Sequence, residues 1–284
     1  MLVGVDGSTG SEEALRWSYV TASLEGRPVE ALLAWTADSP PHGVSRTGAT
    51  ADHKALARAA VDVLDRSVTR VPMSDPPVEV TMYVVDADPV SALLRHGEQA
   101  EMIVVGACGH GPLGRLLVGS VSQRVVHHAG RPVVVVRGAG VGGRSDRRPV
   151  VVGVDGSPAS LAALRWAAER ASRRRVPLRL IHAYALPGPP YPEMLRKVYQ
   201  ELRERSQHLL EEAVASEIEG VFDVTVATEA VADTPGPALV RESFSAQLIA
   251  AGARGHGGFA ELLLGSTSHV CVLHAACPVA VVRG

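Results

Sequence analysis

The chain has 284 residues, 46% hydrophobic and 20% charged, with 28 Lys and Arg against 30 Asp and Glu, a globular composition long enough for two domains. A formal net charge of -2 supplies no general basic field, so nucleic acid is not expected as a partner. Three cysteines without a CxxC pair, no apolar run of the ~20 residues a membrane span needs, and no signal-peptide pattern lead to the expectation of a reducing, cytoplasmic compartment with no membrane contact.

The opening segment, LVGVDGSTGSEEALRW from Leu2 to Trp17, returns as VVGVDGSPASLAALRW from Val151 to Trp166, at an offset of 149 between Asp6 and Asp155. Further on, GACGHGPLGRLLVGSVSQRVVHHAGRPVVVVR returns as GARGHGGFAELLLGSTSHVCVLHAACPVAVVR, at an offset of 146 between Gly106 and Gly252. Each copy is far longer than a solenoid repeat, so each is a complete domain and the chain is a tandem duplication. The reading gives one domain over 1–138, a linker over 139–148 whose Gly and charged residues suit an exposed connection, and a second domain over 149–284.

In chain order, the first copy predicts a strand near 2 to 6, a helix near 10 to 25, a strand near 29 to 35 and a helix near 51 to 70. A strand near 78 to 85, a helix near 88 to 99, a strand near 101 to 106, a helix near 120 to 129 and a closing strand near 133 to 137 follow. Apolar strands alternating with longer helical segments mark a parallel sheet covered on both faces, an α/β doubly wound five-stranded domain of strand order 3-2-1-4-5 in each copy. In the second copy Ser157 followed by Pro158 fixes a helix start, as an N-cap with proline at the first helical position. Trp17 and Trp166 stand among Ala and Leu at helical spacing and are expected in the core.

After the fourth strand of each copy stands G-x-x-G, nine residues, then G-[ST]: Gly106, Gly109, Gly119 and Ser120, then Gly252, Gly255, Gly265 and Ser266. Glycine lets backbone N–H groups approach an anion, and a helix opening at Gly119-Ser120 attracts phosphate through its unpaired N–H groups and dipole. The overlapping G-x-G-x-x-G from Gly109 to Gly114 follows strand four rather than strand one. It therefore lacks the context of a dinucleotide fingerprint, and no P-loop pattern occurs. Strand one ends in Asp6-Gly7-Ser8, and in the second copy in Asp155-Gly156-Ser157. In order 3-2-1-4-5, strands one and four adjoin at the switch point, so acid and glycine loop face one crevice. A carboxylate beside phosphate requires a hydroxyl or a cation between them, which assigns Asp6 and Asp155 to ribose hydroxyls or to a phosphate-bound Mg²⁺.

V-G-V-D-G-S, G-x-x-G-x9-G-[ST] and a closing P-V-V-V-V-R strand together resemble the universal stress protein family, in a tandem form that covers nearly the whole chain. The resemblance implies an adenine nucleotide alpha hydrolase-like fold and ATP in each crevice. Asp6, Gly106, Gly109, Gly119 and Ser120 would then meet ribose and phosphates, with Asp155, Gly252, Gly255, Gly265 and Ser266 matching them. It also implies that backbone at the end of strand two reads adenine, which falls on Ala34 and Ala183. Ser122 and Ser268, two residues into the same helix, are further phosphate candidates. One departure stands out: Arg254 lies between the motif glycines of the second copy, where the first has Cys108. His110 and His256 follow the second motif glycine and are weaker phosphate candidates; His127, His128 and His274 lack metal-ligand spacing.

The function so implied is that of a cytoplasmic ATP-binding stress-response regulator acting through nucleotide-dependent conformation or association. A nucleotide-independent scaffold and a slow ATP hydrolase are the alternatives. No Ser/His/Asp set, lysine nucleophile or metal cluster recurs in both copies, so a dedicated enzyme is not expected. The apolar closing strands PVVVVR and PVAVVR lie at a sheet edge in order 3-2-1-4-5, and such edges are normally covered. Pseudo-two-fold pairing of these strands within the chain is therefore expected, with homodimerisation of whole chains beyond it.

Overall fold

A computed structural model describes residues 1–39, 53–107, 118–137, 145–185, 192–256 and 264–284. The chain divides into two compact units, Met1–Arg144 and Ser145–Gly284. The first unit runs β1 (Leu2–Gly4), α1 (Thr9–Glu25), β2 (Val29–Trp35), α2 (His53–Arg70), β3 (Val80–Asp86), α3 (Pro89–Gly97), β4 (Ile103–Gly106), α4 (Ser120–His128) and β5 (Val133–Val136). Its strands pair in parallel in the order β3-β2-β1-β4-β5. The second unit repeats the plan with β6 (Val150–Gly153), α5 (Pro158–Arg174), β7 (Leu178–Ala183), α6 (Pro192–Glu217), β8 (Val226–Val231), α7 (Pro235–Glu242), β9 (Leu248–Gly252), α8 (Ser266–His274) and β10 (Val279–Val282). Here the order is β8-β7-β6-β9-β10, again parallel. Each sheet thus has the predicted doubly wound order.

The central strands are apolar on both faces because helices cover both, and Val104, Val134, Val152 and Ile249 are accordingly all buried. Trp17 and Trp166 join these cores, with 2% and 8% of their surface exposed. The first strand stops at Gly4 rather than near residue 6, because the chain turns at Asp6-Gly7-Ser8, with Gly7 at φ 82°. Gly156 repeats that left-handed conformation in the second unit, also at φ 82°, which a residue with a Cβ adopts only with strain.

Ser8 and Ser157 cap the helices that follow, each accepting from an amide three residues on, Ser11 or Ser160, at 3.2 Å. Pro158 occupies the first turn of α5 as predicted. The ends of α1 and α5 differ: Gly26 closes the first at φ 66°, and Arg175 closes the second at φ 53°. Cys271 and Cys277 are free and buried, and burial pushes both thiols up to about 12, which keeps them protonated and inert at neutral pH.

Candidate functional site

In the second unit, the carboxyl ends of β6, β7 and β9 open a cavity of about 470 Å³, within the range of small-molecule sites. It lies where the sheet order reverses, between β6 and β9. All seven residues expected there line it: Asp155, Ala183, Gly252, Gly255, Gly265, Ser266 and Ser268. Arg254, His256, Ser160 and His182 are also on its wall, and Ile181, Pro235 and Leu239 form an apolar side.

Asp155 organises the acidic side. Its Oδ1 accepts from Ser157 N at 3.0 Å and from Ser157 Oγ at 2.6 Å, and Oδ2 accepts from His256 N at 3.3 Å. The Asp155 N–H donates to Ser160 Oγ at 3.3 Å. Burial pushes this carboxyl upward, but the hydrogen bonds led by Ser157 outweigh it and hold Asp155 below the usual carboxylate range. Asp155 is therefore a carboxylate at neutral pH. Gly255 packs directly on it: a Cβ at Gly255 would overlap Asp155 Oδ2.

The opposite wall is the start of α8. Gly265 is its N-cap and makes no side-chain capping bond, whereas Ser157 caps α5 with its own hydroxyl. The amides of the first turn of α8 thus lack the side-chain acceptor that α5 has. Ser266 and Thr267 bring that turn to the cavity, so this wall carries N–H donors and the positive end of the helix dipole. Arg254 adds a cation. Burial, and then the adjacent Arg254 charge, lower the pKa of Arg283.

Two kinds of motif residue have structural work of their own. A Cβ on Gly252 would stand 2.8 Å from Ala159 C, and one on Gly106 would stand 2.5 Å from Gly10 C. The first motif glycine of each copy therefore lets the fourth strand of its sheet meet the first turn of α5 or α1. Ser268 Oγ donates to Gly265 O at 3.0 Å, and Ser122 Oγ donates to Gly106 O at 2.6 Å. Ser268 Oγ also lies 3.3 Å from Ala253 O, just past the end of β9, so each hydroxyl proton is directed to backbone carbonyls and ties the start of its helix to the end of the fourth strand of its sheet.

The open strand end is set by register. Val154 N donates to Ile181 O at 2.9 Å, and Tyr184 N donates to Val231 O at 2.9 Å. Backbone groups alternate between neighbours along a strand, so the Ala183 amide and carbonyl turn to the β6 side, beyond the end of β6. Ala34 occupies the same place in the first unit, since Val5 N donates to Leu32 O at 2.8 Å and Ala87 N to Trp35 O at 3.0 Å.

The first unit repeats much of the rest. Ser8 N and Ser8 Oγ donate to Asp6 Oδ1 at 3.0 Å and 2.5 Å. Gly119 caps α4 without a side-chain bond, and its N–H donates to Ala107 O at 2.7 Å, as Gly265 N donates to Ala253 O at 2.7 Å. Ser120 is exposed at the head of that helix. Gly109, with Cys108 and His110, lies outside the described residues. Sequence reasoning passed over His182, Ser160 and the apolar wall. His182 carried a signal, as a polar residue where the first copy has Leu33.

The model of the universal stress protein family matches residues 1–137 and again 146–283. A universal stress protein of Mycolicibacterium smegmatis is 35% identical over 285 residues, covering 100% of this chain and 96% of the relative. One of Mycobacterium tuberculosis is 35% identical over 297 residues with the same coverage, 100% and 96%. The crystal structure of a universal stress protein from Archaeoglobus fulgidus has the same fold, with TM-score 0.70, 21% identity, and coverage of 100% of this chain and 97% of that one.

Proposed function

The chain belongs to the universal stress protein family, and on that premise we propose that it is a cytoplasmic ATP-binding regulator of the stress response, acting through nucleotide-dependent conformation or association. The observation that carries this reading is the cavity of the second unit, where an uncapped helix N-terminus, a carboxylate and an open strand end meet. The donor chemistry fits the parts of a nucleotide. The first turn of α8 and Arg254 suit phosphates, Asp155 suits ribose hydroxyls, and the Ala183 backbone beside Ile181 and Leu239 suits the edge and face of adenine. In the first unit Asp6, Ala34, Gly106, Gly109, Gly119 and Ser120 take the corresponding parts.

Mg²⁺ belongs to this reading as a companion of the phosphates. Among the described residues no group of three or more His, Cys, Asp or Glu is placed to hold a metal; the carboxylates proposed to face the ion are Asp155 and Asp6. The nucleotide is a ligand here rather than a substrate to be turned over. Homodimerisation of whole chains, which the family resemblance suggests, is part of the proposal, and light scattering of the purified chain reads it directly. Among the described residues no helix is long and apolar enough to cross a membrane.

Denaturing the purified protein and running ion-pair chromatography on the supernatant tests the central point. An adenine nucleotide released in proportion to protein supports the proposal. A nucleotide-free protein that also fails to take up Mg-ATP would leave a scaffold as the reading.

A further inference from the structure

Thr267 is the second residue of α8 and lines the cavity. Side chains three and four positions apart share a helix face, so its direction follows from Val270 and Cys271. A Cβ on Gly236 would stand 2.9 Å from Val270 Cβ, which sets Val270 against the first turn of α7. Cys271 is fully buried in the core. Thr267 points between these two directions, one turn nearer the head of the helix, and so faces the cavity on the flank of Pro235 and Leu239. The first unit has the same crossing. Arg124, the equivalent of Val270, comes within 3.9 Å of Asp88 at the head of α3, and Val125, the equivalent of Cys271, is fully buried. The residue one turn before them is Val121.

Inside a helix a Thr hydroxyl can take the carbonyl three or four residues back. For Thr267 those carbonyls precede the helix, and among the described residues its hydroxyl has no hydrogen-bond partner. Ser268 beside it donates to Gly265 O instead. We propose that Thr267 is a specificity-determining residue of the second cavity: its hydroxyl donates to the phosphate next to the ribose, and so favours adenine nucleotides over adenosine there more than in the first crevice. The proposal rests on the reading of this cavity as a nucleotide site. In that reading Ile181, Pro235 and Leu239 meet the base and the amides of the first turn of α8 meet phosphate. Thr267 belongs to the helix that supplies the amides and to the flank that faces the apolar wall, so the phosphate within its reach is the first of the chain. A phosphate oxygen accepts and a hydroxyl donates, which matches the pair. Val121 has nearly the same shape as Thr267 and no proton to give.

The test uses the full chain, isotope-labelled, with the Gly265 and Gly119 amides as reporters of the second and first sites. Wild type, Thr267→Val, Thr267→Ser and Val121→Thr are each titrated with adenosine, AMP and Mg-ATP. Thr267→Val keeps the branched shape of the side chain, and at the second site it should weaken AMP and Mg-ATP about tenfold, the worth of one hydrogen bond, while leaving adenosine unchanged. Thr267→Ser should bind all three as wild type does, and Val121→Thr should tighten AMP at the first site. Unchanged AMP affinity in Thr267→Val overturns the inference, and so does an equal loss for adenosine, which would make Thr267 a packing residue; in either case the nucleotide reading of the cavity stands. If neither AMP nor Mg-ATP moves either reporter of the wild type, the nucleotide reading fails and the role of Thr267 falls with it.

Discussion

Gly26 and Arg175 close the same helix in the two halves, Leu33 and His182 precede the same strand end, and Cys108 and Arg254 divide the same pair of glycines. Around these differences the backbone devices match: the turn glycines Gly7 and Gly156 share φ 82°, and Gly119 and Gly265 cap their helices in the same extended conformation without a side-chain bond. What has been kept in both halves is what close backbone approach requires. What has diverged is the side chains that tune the crevice and the helix end. On the proposed reading the contrast equips the second half better for an anion, through Arg254, and it leaves that half the more strained at a helix end, through Arg175 at φ 53°.

The strongest test of the shared part is space. Gly252→Val and Gly106→Val each place carbon atoms against the backbone of a helix first turn, which cannot yield as a side-chain tip can. Each should cost its own unit about 3 kcal/mol or more, the upper range of overpacking, read by urea unfolding followed with probes in each half. A loss below about 1 kcal/mol in either half would show that the two glycines are not kept for this contact.

Binding comes next in size. Gly255→Val forces the loop off Asp155 while leaving strands and helices untouched, so the second half should stay folded and bind Mg-ATP at least about tenfold more weakly. Unchanged calorimetric affinity in a folded variant would separate this glycine from the ligand.

Helix ends give a smaller effect of opposite sign in the two halves. A residue with a Cβ in the left-handed region costs about 1 kcal/mol, so Arg175→Gly should stabilise the second unit by about that amount and Gly26→Ala should destabilise the first. A Cβ at Gly26 would meet nothing within 4 Å, so the change there is one of backbone conformation alone. Equal and null shifts in denaturation midpoint would remove the strain argument.

The smallest expected effect is the pH dependence of the second unit. Asp155 is held below its ordinary value in the folded state, so its contribution is present above the unfolded carboxylate pKa of about 3.9 and is lost as pH falls through the folded value. Asp155→Asn should flatten the acid limb of the stability curve of this unit below about pH 4. An acid limb of unchanged slope would mean that the hydrogen bonds from Ser157 do not discriminate between charged and protonated Asp155.

The order of strands and the position of the second unit's crevice were legible because apolar runs, glycine spacing and the internal repeat each constrain the backbone, and the backbone is what has been kept. Boundaries were less so. The first strand ends at Gly4 because the Asx turn at Asp6 draws the chain out of the sheet, and Val5 looks as apolar as any strand residue. The motif serines read as phosphate donors because they sit near the helix start. Only the folded geometry reveals that Ser122 and Ser268 give their protons to carbonyls. Gly252 and Gly255 are alike in sequence and differ in use, one making room for a helix and the other for a carboxylate. His182 was illegible for a further reason: whether a polar residue at a strand end faces solvent or meets a backbone carbonyl, as His182 meets that of Val154, depends on where the neighbouring strand stops.

The central claim is that both crevices take an adenine nucleotide, and the stoichiometry of binding tests it most directly. Equilibrium dialysis of the full chain at saturating Mg-ATP should give two nucleotides per chain, with the second half, carrying Arg254 where the first has Cys108, filling first as concentration rises. Zero bound nucleotides at saturation would contradict the account outright.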